Sequence, residues 1–195
     1  GFARVVLARE LSLPEVEHIT KHCGIETECF VHGALCMCVS GQCYMSAFLG
    51  GRSGNRGMCA QPCRLNYGWG QTADKPLLSL KDMSLAKHLQ ELEEMGVACA
   101  KIEGRMKRPE YVAVVTKVYA TAIREHRDPT PGEQQALAHA FSRQGFTDGY
   151  YMDKTGRHMF GIREKTPVPT QLFAAAKGDY SKEHPTVPVK LYALV

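Results

Sequence analysis

An α/β fold is what this sequence predicts, because short apolar runs alternate along it with amphipathic helical segments. Strands are expected at residues 4–8, 28–32, 77–80 and 97–102, and helices at 12–22, 84–95 and 108–127. Strands that are joined by crossover helices pair in parallel. Four strands of this kind equal half of an eight-stranded barrel, so we expect a partial TIM-like (β/α) barrel.

The first strand–helix–strand unit carries clear boundary signals. Residues 4–8 form a β-branched apolar run that lacks a helical period, which is typical of a buried strand. Ser12 and Glu15 have the spacing of a capping box, so a helix is expected to begin there, and Gly24 ends it. Residues 28–32 then form the second expected strand.

The later units repeat this alternation. Residues 77–80 are expected to be the third strand, and Asp82 or Ser84 can cap the helix that follows. Gly96 occupies the position favoured after the end of a helix. Residues 97–102 are the fourth expected strand.

Changes in composition divide the chain into three regions. Residues 1–127 are expected to hold the C-terminal half of a TIM-like barrel, with a Cys-rich insertion loop at 34–76. Residues 128–165 form a helical and turn-rich extension. Residues 166–195 are rich in proline and are expected to be a linker followed by the first strand, at 187–195, of a truncated β-rich domain.

The overall composition excludes several classes of protein. Of 195 residues, 44% are hydrophobic and 23% are charged, which is ordinary for a globular chain and excludes a disordered one. No apolar run approaches the ~20 residues of a membrane span, and the first residues lack the pattern of a signal peptide. A cytoplasmic location is therefore expected. The net charge of +4 permits a polyanionic partner without requiring one.

Cysteine is the most informative residue type. Seven of the eight cysteines lie between Cys23 and Cys63, and without a secretory signal such clustering favours metal ligation over disulfides. Buried free thiols are the alternative. Four thiolates, from Cys36, Cys43, Cys59 and Cys63, suit either zinc or an iron–sulfur cluster. Only the Cys59–Cys63 pair has the tight spacing usual for zinc sites. The looser spacing of the other cysteines favours an iron–sulfur cluster, but spacing alone decides weakly.

The charges around these cysteines give a second indication. No Asp or Glu occurs between Cys29 and Ala73, whereas Arg52, Arg56 and Arg64 lie in that stretch. Cationic surroundings would stabilise an anionic cluster, or they could bind the phosphate or carboxylate groups of a substrate. A solvated basic loop is the third interpretation.

A third indication comes from the predicted strand ends, where the active sites of α/β barrels lie. Glu103 follows the fourth strand and is flanked by Lys101 and Arg105, and His32 ends the second. A carboxylate among cations is either half of a structural ion pair or a catalytic group.

Three segments resemble the signature of the U-32, collagenase-like peptidase family. They are FVHGALCMCVSGQCYMS at 30–46, GGRSGNRGMCAQPCR at 50–64 and KIEGRMKRPEYV at 101–112. MFGIRE at 159–164 resembles the junction to the β-rich C-terminal region of longer members. The resemblance covers residues 1–165.

The resemblance implies a cofactor, a reaction and a set of site residues. It implies a [4Fe-4S] cluster on Cys36, Cys43, Cys59 and either Cys63 or another cysteine. Family members assist the hydroxylation of a cytidine in ribosomal RNA or a uridine in transfer RNA, with prephenate implicated as a co-substrate. The expected function is therefore iron–sulfur-dependent hydroxylation of an RNA base, with RNA and a small carboxylate as partners. Candidate catalytic residues are His32, Lys101 and Glu103, and candidate substrate-binding residues are Arg52, Arg56, Arg64, Arg105 and Lys107.

Two other functions stay open. The family name implies a peptidase, in which His32 could pair with a cysteine, although the zinc-protease motif HExxH is absent. The third is a non-catalytic, cluster-bearing RNA-binding module whose basic surface would include Arg108. It ranks last because the sequence lacks the aromatic-interleaved basic stripe of a single-strand binder. The sequence leaves the oligomeric state unspecified.

Overall fold

A computed structural model describes residues 1–163 and 167–181. The strands are β1 (Arg4–Val6), β2 (Glu26–Ala34), β3 (Tyr67–Trp69), β4 (Thr72–Lys75), β5 (Asp82–Ser84), β6 (Cys99–Ile102) and β7 (Phe146–Thr147). The helices are α1 (Leu13–His22), α2 (Met45–Gly50), α3 (Leu89–Glu94), α4 (Pro109–Arg124), α5 (Pro131–Ala140) and α6 (Thr170–Tyr180). Short 3-10 helices lie at Gly54–Arg56, Pro62–Arg64 and Arg157–Met159.

Strand β2 is the centre of the main sheet. β1 pairs with it in parallel, with Val6 opposite Glu28, and β6 also pairs with it in parallel, with Glu28 opposite Cys99. The prediction that the first, second and fourth strands are parallel neighbours is thus confirmed. β7 extends the sheet by pairing in parallel with β5. Mixed α/β architecture is therefore established, but the described residues do not form a closed barrel.

The predicted third strand at 77–80 is wrong. That stretch turns after Pro76 and makes a single bridge, between Leu80 and Phe160. The strand is β5 instead, and it runs antiparallel to β2. The expected cap at Asp82 or Ser84 is wrong for the same reason, since both residues lie in β5 and α3 begins only after His88.

The helix boundaries agree better with the sequence because their signals are local. The Glu15 carboxylate accepts hydrogen bonds from the Ser12 N–H and hydroxyl, each at 2.7 Å, as the capping box predicts. α4 lies within the expected segment 108–127, and it buries six residues: Tyr111, Val114, Val115, Val118, Tyr119 and Ala122.

Two regions differ from the sequence-based expectation. The Cys-rich loop contains helix α2, two 3-10 turns and the β3–β4 hairpin. Helix α6 occupies much of the stretch that was expected to be a linker. The strand expected at 187–195 lies outside the described residues. Within the described part of the chain, no helix is both long and apolar enough to cross a bilayer.

Candidate functional site

The ends of the parallel strands bring charged residues together. Arg9, just after β1, forms an ion pair with Glu103, just after β6, with Nη2 and Oε2 3.0 Å apart. The other Glu103 oxygen accepts a hydrogen bond from the Arg105 N–H at 2.9 Å. Gly33 makes this close packing possible, because a Cβ there would lie 2.7 Å from both Cβ and the carbonyl oxygen of Glu103. Glu103 is therefore a firmly oriented acceptor at the strand ends.

A second carboxylate, Glu10, ties β1 to the Cys-rich loop. Its Oε1 accepts hydrogen bonds from the Ser40 hydroxyl at 2.8 Å and the Ser40 N–H at 3.1 Å. Glu10 Oε2 and Arg9 Nε are buried and have no hydrogen-bond partner among the described residues. The sequence analysis missed both residues, although two adjacent charges directly after a predicted strand were a signal.

Three of the four candidate ligand cysteines share one region. Burial raises the pKa of the Cys36 thiol, and Cys63 and Cys59 lie close enough to raise it further, while Arg9 and Arg64 lower it. Cys43 lies beside them, because a Cβ at Gly54 would be 3.7 Å from the Cys59 Cβ and 4.0 Å from the Cys43 carbonyl oxygen.

The donor chemistry of this region fits an iron–sulfur cluster. The Cys59 sulfur accepts hydrogen bonds from the Gln61 N–H at 3.3 Å and the Ser46 hydroxyl at 3.7 Å, as cluster thiolates commonly do. In residues 1–163 and 167–181, however, no three His, Cys, Asp or Glu side chains are gathered closely enough to hold a metal ion. Cluster binding would therefore require the loop to draw its thiols together.

The candidate arginines divide into two kinds. Arg64 anchors the loop: it donates to the Leu35 carbonyl at 2.5 Å, and also to Ser79 and the Leu80 carbonyl. Arg105 donates to the Gly57 carbonyl and remains exposed. Arg52 and Arg56 are exposed as well. The exposed three are placed to meet a polyanion, whereas Arg64 mainly holds the loop against the sheet.

Lys101 is not a partner of Glu103. Its ammonium lies 2.6 Å from the Glu28 carboxylate on β2 and holds the pKa of Glu28 below its usual range. The cation beside Glu103 is Arg9 instead. Of the two alternatives for Glu103, the structure shows an ion pair, and it joins the segment after β1 to the segment after β6.

His32 is fully buried rather than exposed at a strand end. The Tyr119 hydroxyl donates to the Val31 carbonyl at 2.9 Å, so it accepts from His32 Nδ1 at 3.0 Å. Burial, assisted by the charge of Lys107, lowers the pKa of His32 to about 3. His32 is therefore neutral near pH 7, and its Nε2 has no partner among the described residues.

The buried His32 predicts a pH dependence of stability. Its pKa is about 3 in the folded protein and about 6.5 in an unfolded chain, so the unfolded state binds more protons between those values. This contribution is complete above pH 6.5 and is lost as the pH falls toward 3. Urea unfolding should show that wild type loses ~2 kcal/mol more than His32→Gln between pH 7 and pH 5. Equal losses in the two proteins would show that His32 titrates normally.

A further cluster of charges lies beneath α4 and α5. Asp82, in β5, forms a buried ion pair with Arg143, whose Nη1 lies 2.6 and 2.8 Å from the two carboxylate oxygens. The Lys107 ammonium lies 2.8 Å from the centroid of the Phe141 ring. Burial lowers the pKa of Lys107 to about 7; Asp82 raises it, and Arg143 and Arg163 lower it further. Sequence analysis included Lys107 but missed Asp82, Arg143 and Arg163 as parts of a site.

Together these features define an α/β protein with oriented charges at its strand ends and a thiol-rich, basic loop beside them. The chain belongs to peptidase family U32, whose family model matches residues 1–160. This confirms the family that the three sequence segments indicated.

Curated relatives carry names from two functional classes. The chain is 41% identical to the 23S rRNA 5-hydroxycytidine synthase of Escherichia coli, over 80% of this chain and 24% of that protein. It is 34% identical to tRNA hydroxylation protein P of Helicobacter pylori, over 84% of this chain and 45% of that protein. It is 38% identical to a collagenase of Porphyromonas gingivalis, over 76% of this chain and 42% of that protein.

The chain thus spans between about a quarter and a half of the length of these relatives. No solved structure matches it significantly.

Proposed function

We propose that this chain is part of an enzyme that hydroxylates a base in ribosomal or transfer RNA. The observation that carries the proposal is the similarity, at 34% to 41% identity, to proteins named for RNA hydroxylation across at least four fifths of the chain. The exposed arginines of the Cys-rich loop support it, because an RNA substrate requires a cationic surface next to the reacting groups.

The cofactor in this proposal is a [4Fe-4S] cluster. Cys36, Cys43 and Cys59, with Cys63 as the fourth ligand, would hold it, and it would supply one-electron chemistry. Two observations support this assignment. Cys63 and Cys59 lie close enough to Cys36 to affect its pKa, and the Cys59 sulfur accepts hydrogen bonds from the Ser46 hydroxyl and the Gln61 N–H. The absence of acidic residues from Cys29 to Ala73 would favour the anionic cluster.

The residues of the strand ends would position the substrate. Glu103, held by Arg9 and by the Arg105 N–H, can accept a hydrogen bond from a base amino group or a hydroxyl. Glu10 presents a second open acceptor, because its buried Oε2 has no hydrogen-bond partner among the described residues. His32 would stabilise this region from within the core, through its hydrogen bond to the Tyr119 hydroxyl. A small carboxylate co-substrate such as prephenate would be bound bidentately by Arg52 or Arg105.

Proteolysis is the second candidate, favoured by the similarity to a collagenase. A cysteine protease needs a histidine within hydrogen-bond distance of its nucleophile. The buried His32 is bonded to Tyr119 instead, and no histidine ring bonds a cysteine sulfur in the described part of the chain. This geometry disfavours a Cys–His protease and so supports ranking RNA hydroxylation first.

The exposed arginines provide a direct test of the RNA substrate. Arg52→Ala and Arg105→Ala should each weaken RNA binding and abolish modification, because each removes a cation that would neutralise phosphate. The salt dependence of binding should become less steep by about one unit for each variant. Binding measured over a salt series, nucleoside analysis of the treated RNA and iron content provide the readouts.

Arg124→Ala is the matched control for that test, since Arg124 is an exposed arginine at the carboxyl end of α4. It should leave affinity and salt dependence unchanged. All three variants should retain their iron. Normal RNA modification by both Arg52→Ala and Arg105→Ala would contradict the proposed RNA surface.

A further inference from the structure

A cavity of about 270 Å³ opens at the amino end of α4. The residues that matter in its lining are Lys107, Arg108, Tyr111, Phe141 and Arg163, which come from the β6–α4 loop, from α4, and from the segments after α5 and after Met159. Neither Asp nor Glu occurs among its described lining residues. The cavity is therefore bounded by three cations and by aromatic and apolar groups.

Positive charge in and around this cavity exceeds negative charge. Lys107 and Arg163 lie over the same Phe141 ring, 2.8 and 4.0 Å from its centroid. Within residues 1–163 and 167–181, neither has a carboxylate within 4.0 Å. Asp82 is the nearby acid, and its two oxygens are already bonded to Arg143.

The pKa shifts of Lys107 and Arg163 agree with this excess of positive charge. Burial, and then repulsion from Arg143, lowers the pKa of Arg163, and the same two causes lower that of Lys107. Packing cations against one another is unfavourable unless an anion compensates them. A negatively charged ligand would therefore stabilise the partially buried Lys107 and Arg163.

The amino end of helix α4 adds a partial positive charge to this cavity. The helix has 16 residues and no side-chain cap, and its first turn holds one acid, Glu110, whose carboxylate accepts a hydrogen bond from the Tyr180 hydroxyl. The partial positive charge at a helix amino end favours anions, and it adds here to three side-chain cations. Two independent features, the cavity with its cations and the helix terminus, therefore converge on one point.

We propose that this cavity is an oxyanion-binding site in which Lys107 and Arg163, both packed against Phe141, hold a single phosphate-like or carboxylate group. None of Arg52, Arg56 and the candidate ligand cysteines is among its described lining residues. The apolar side of the cavity, including Ala140 and Phe173, limits the occupant to one charged group. The occupant is either a free small oxyanion or one phosphodiester of an RNA strand, which share this chemistry. The site would exist whichever reaction the chain takes part in.

Calorimetric titration of the 195-residue chain with inorganic phosphate, at constant ionic strength, tests the site. Wild type should bind one phosphate saturably, and Arg163→Gln and Lys107→Gln should each weaken binding by about tenfold or more. Arg163→Lys keeps the charge and should retain most of the affinity. Arg124→Gln, at the other end of α4, should bind like wild type.

Circular dichroism confirms that each variant is folded before titration. Absence of saturable binding to wild type would overturn the proposal. Unchanged affinity in both folded Gln variants would overturn it as well.

A short single-stranded RNA identifies the occupant. If phosphate competes with the RNA and Arg163→Gln weakens both, the occupant is a phosphodiester. If Arg163→Gln loses phosphate but keeps its RNA affinity, the occupant is a free oxyanion. Both results support the site, and neither depends on whether the RNA becomes hydroxylated, so failure of the proposed function would be recognised separately.

Discussion

Replacing Cys43 with alanine is expected to remove bound iron and RNA modification together. A [4Fe-4S] cluster is held by four protein thiolates, and one missing ligand exposes an iron to solvent and loosens the cluster. Iron content and the visible absorption of anaerobically purified protein would be compared with modification of RNA. Both should fall to near background in the Cys43→Ala protein.

Cys23→Ala is the matched control, because Cys23 is exposed and lies outside the motif shared with the family. It should retain iron and activity at wild-type levels. Full iron content in Cys43→Ala would contradict the ligand assignment. Wild-type protein that contains zinc and no iron would contradict the cofactor itself.

Replacing Asp82 with alanine is expected to destabilise the fold by ~3–5 kcal/mol, because it leaves Arg143 buried without its counter-ion. The pair is almost completely shielded from solvent, with side-chain exposures of 9% for Arg143 and 1% for Asp82. Urea unfolding at pH 7 measures the loss. Glu94→Ala, an exposed acid in α3, should change stability by less than ~0.5 kcal/mol.

A second variant separates the unpaired charge from the loss of packing. Asp82→Leu combined with Arg143→Met removes both charges and should recover most of the stability that Asp82→Ala loses. A loss of less than ~1 kcal/mol in Asp82→Ala would contradict the account of this pair.

Asp82 also shows why the fold could be predicted only in part. The helix start at Ser12 depends on a residue only three positions away, Glu15, so the sequence displays it directly. The position of β5 depends instead on an ion pair between residues 61 positions apart, which stabilises an aspartate in a strand. Local propensity at Asp82 favours a helix cap, and the tertiary contact overrides it.

The candidate site could likewise be predicted only where the signal is local in the sequence. Position at a strand end located Glu103, but its partner Arg9 lies 94 residues away and no motif links the two. His32 was expected among the reacting groups because it ends the predicted strand at 28–32, whereas β2 continues to Ala34. The aromatic groups that enclose it, Tyr111, Tyr119 and Phe146, come from distant segments and could not be anticipated.

The two enzyme classes differ in whether their reaction depends on iron. The full-length protein, with and without its iron, would be given RNA from a strain that lacks the corresponding gene, and separately denatured collagen. We expect a new hydroxylated nucleoside in the RNA, formed only by the iron-containing protein, and no cleavage of collagen. Robust, iron-independent cleavage of collagen, blocked by a thiol alkylator and without any hydroxyl mark in the RNA, would contradict it.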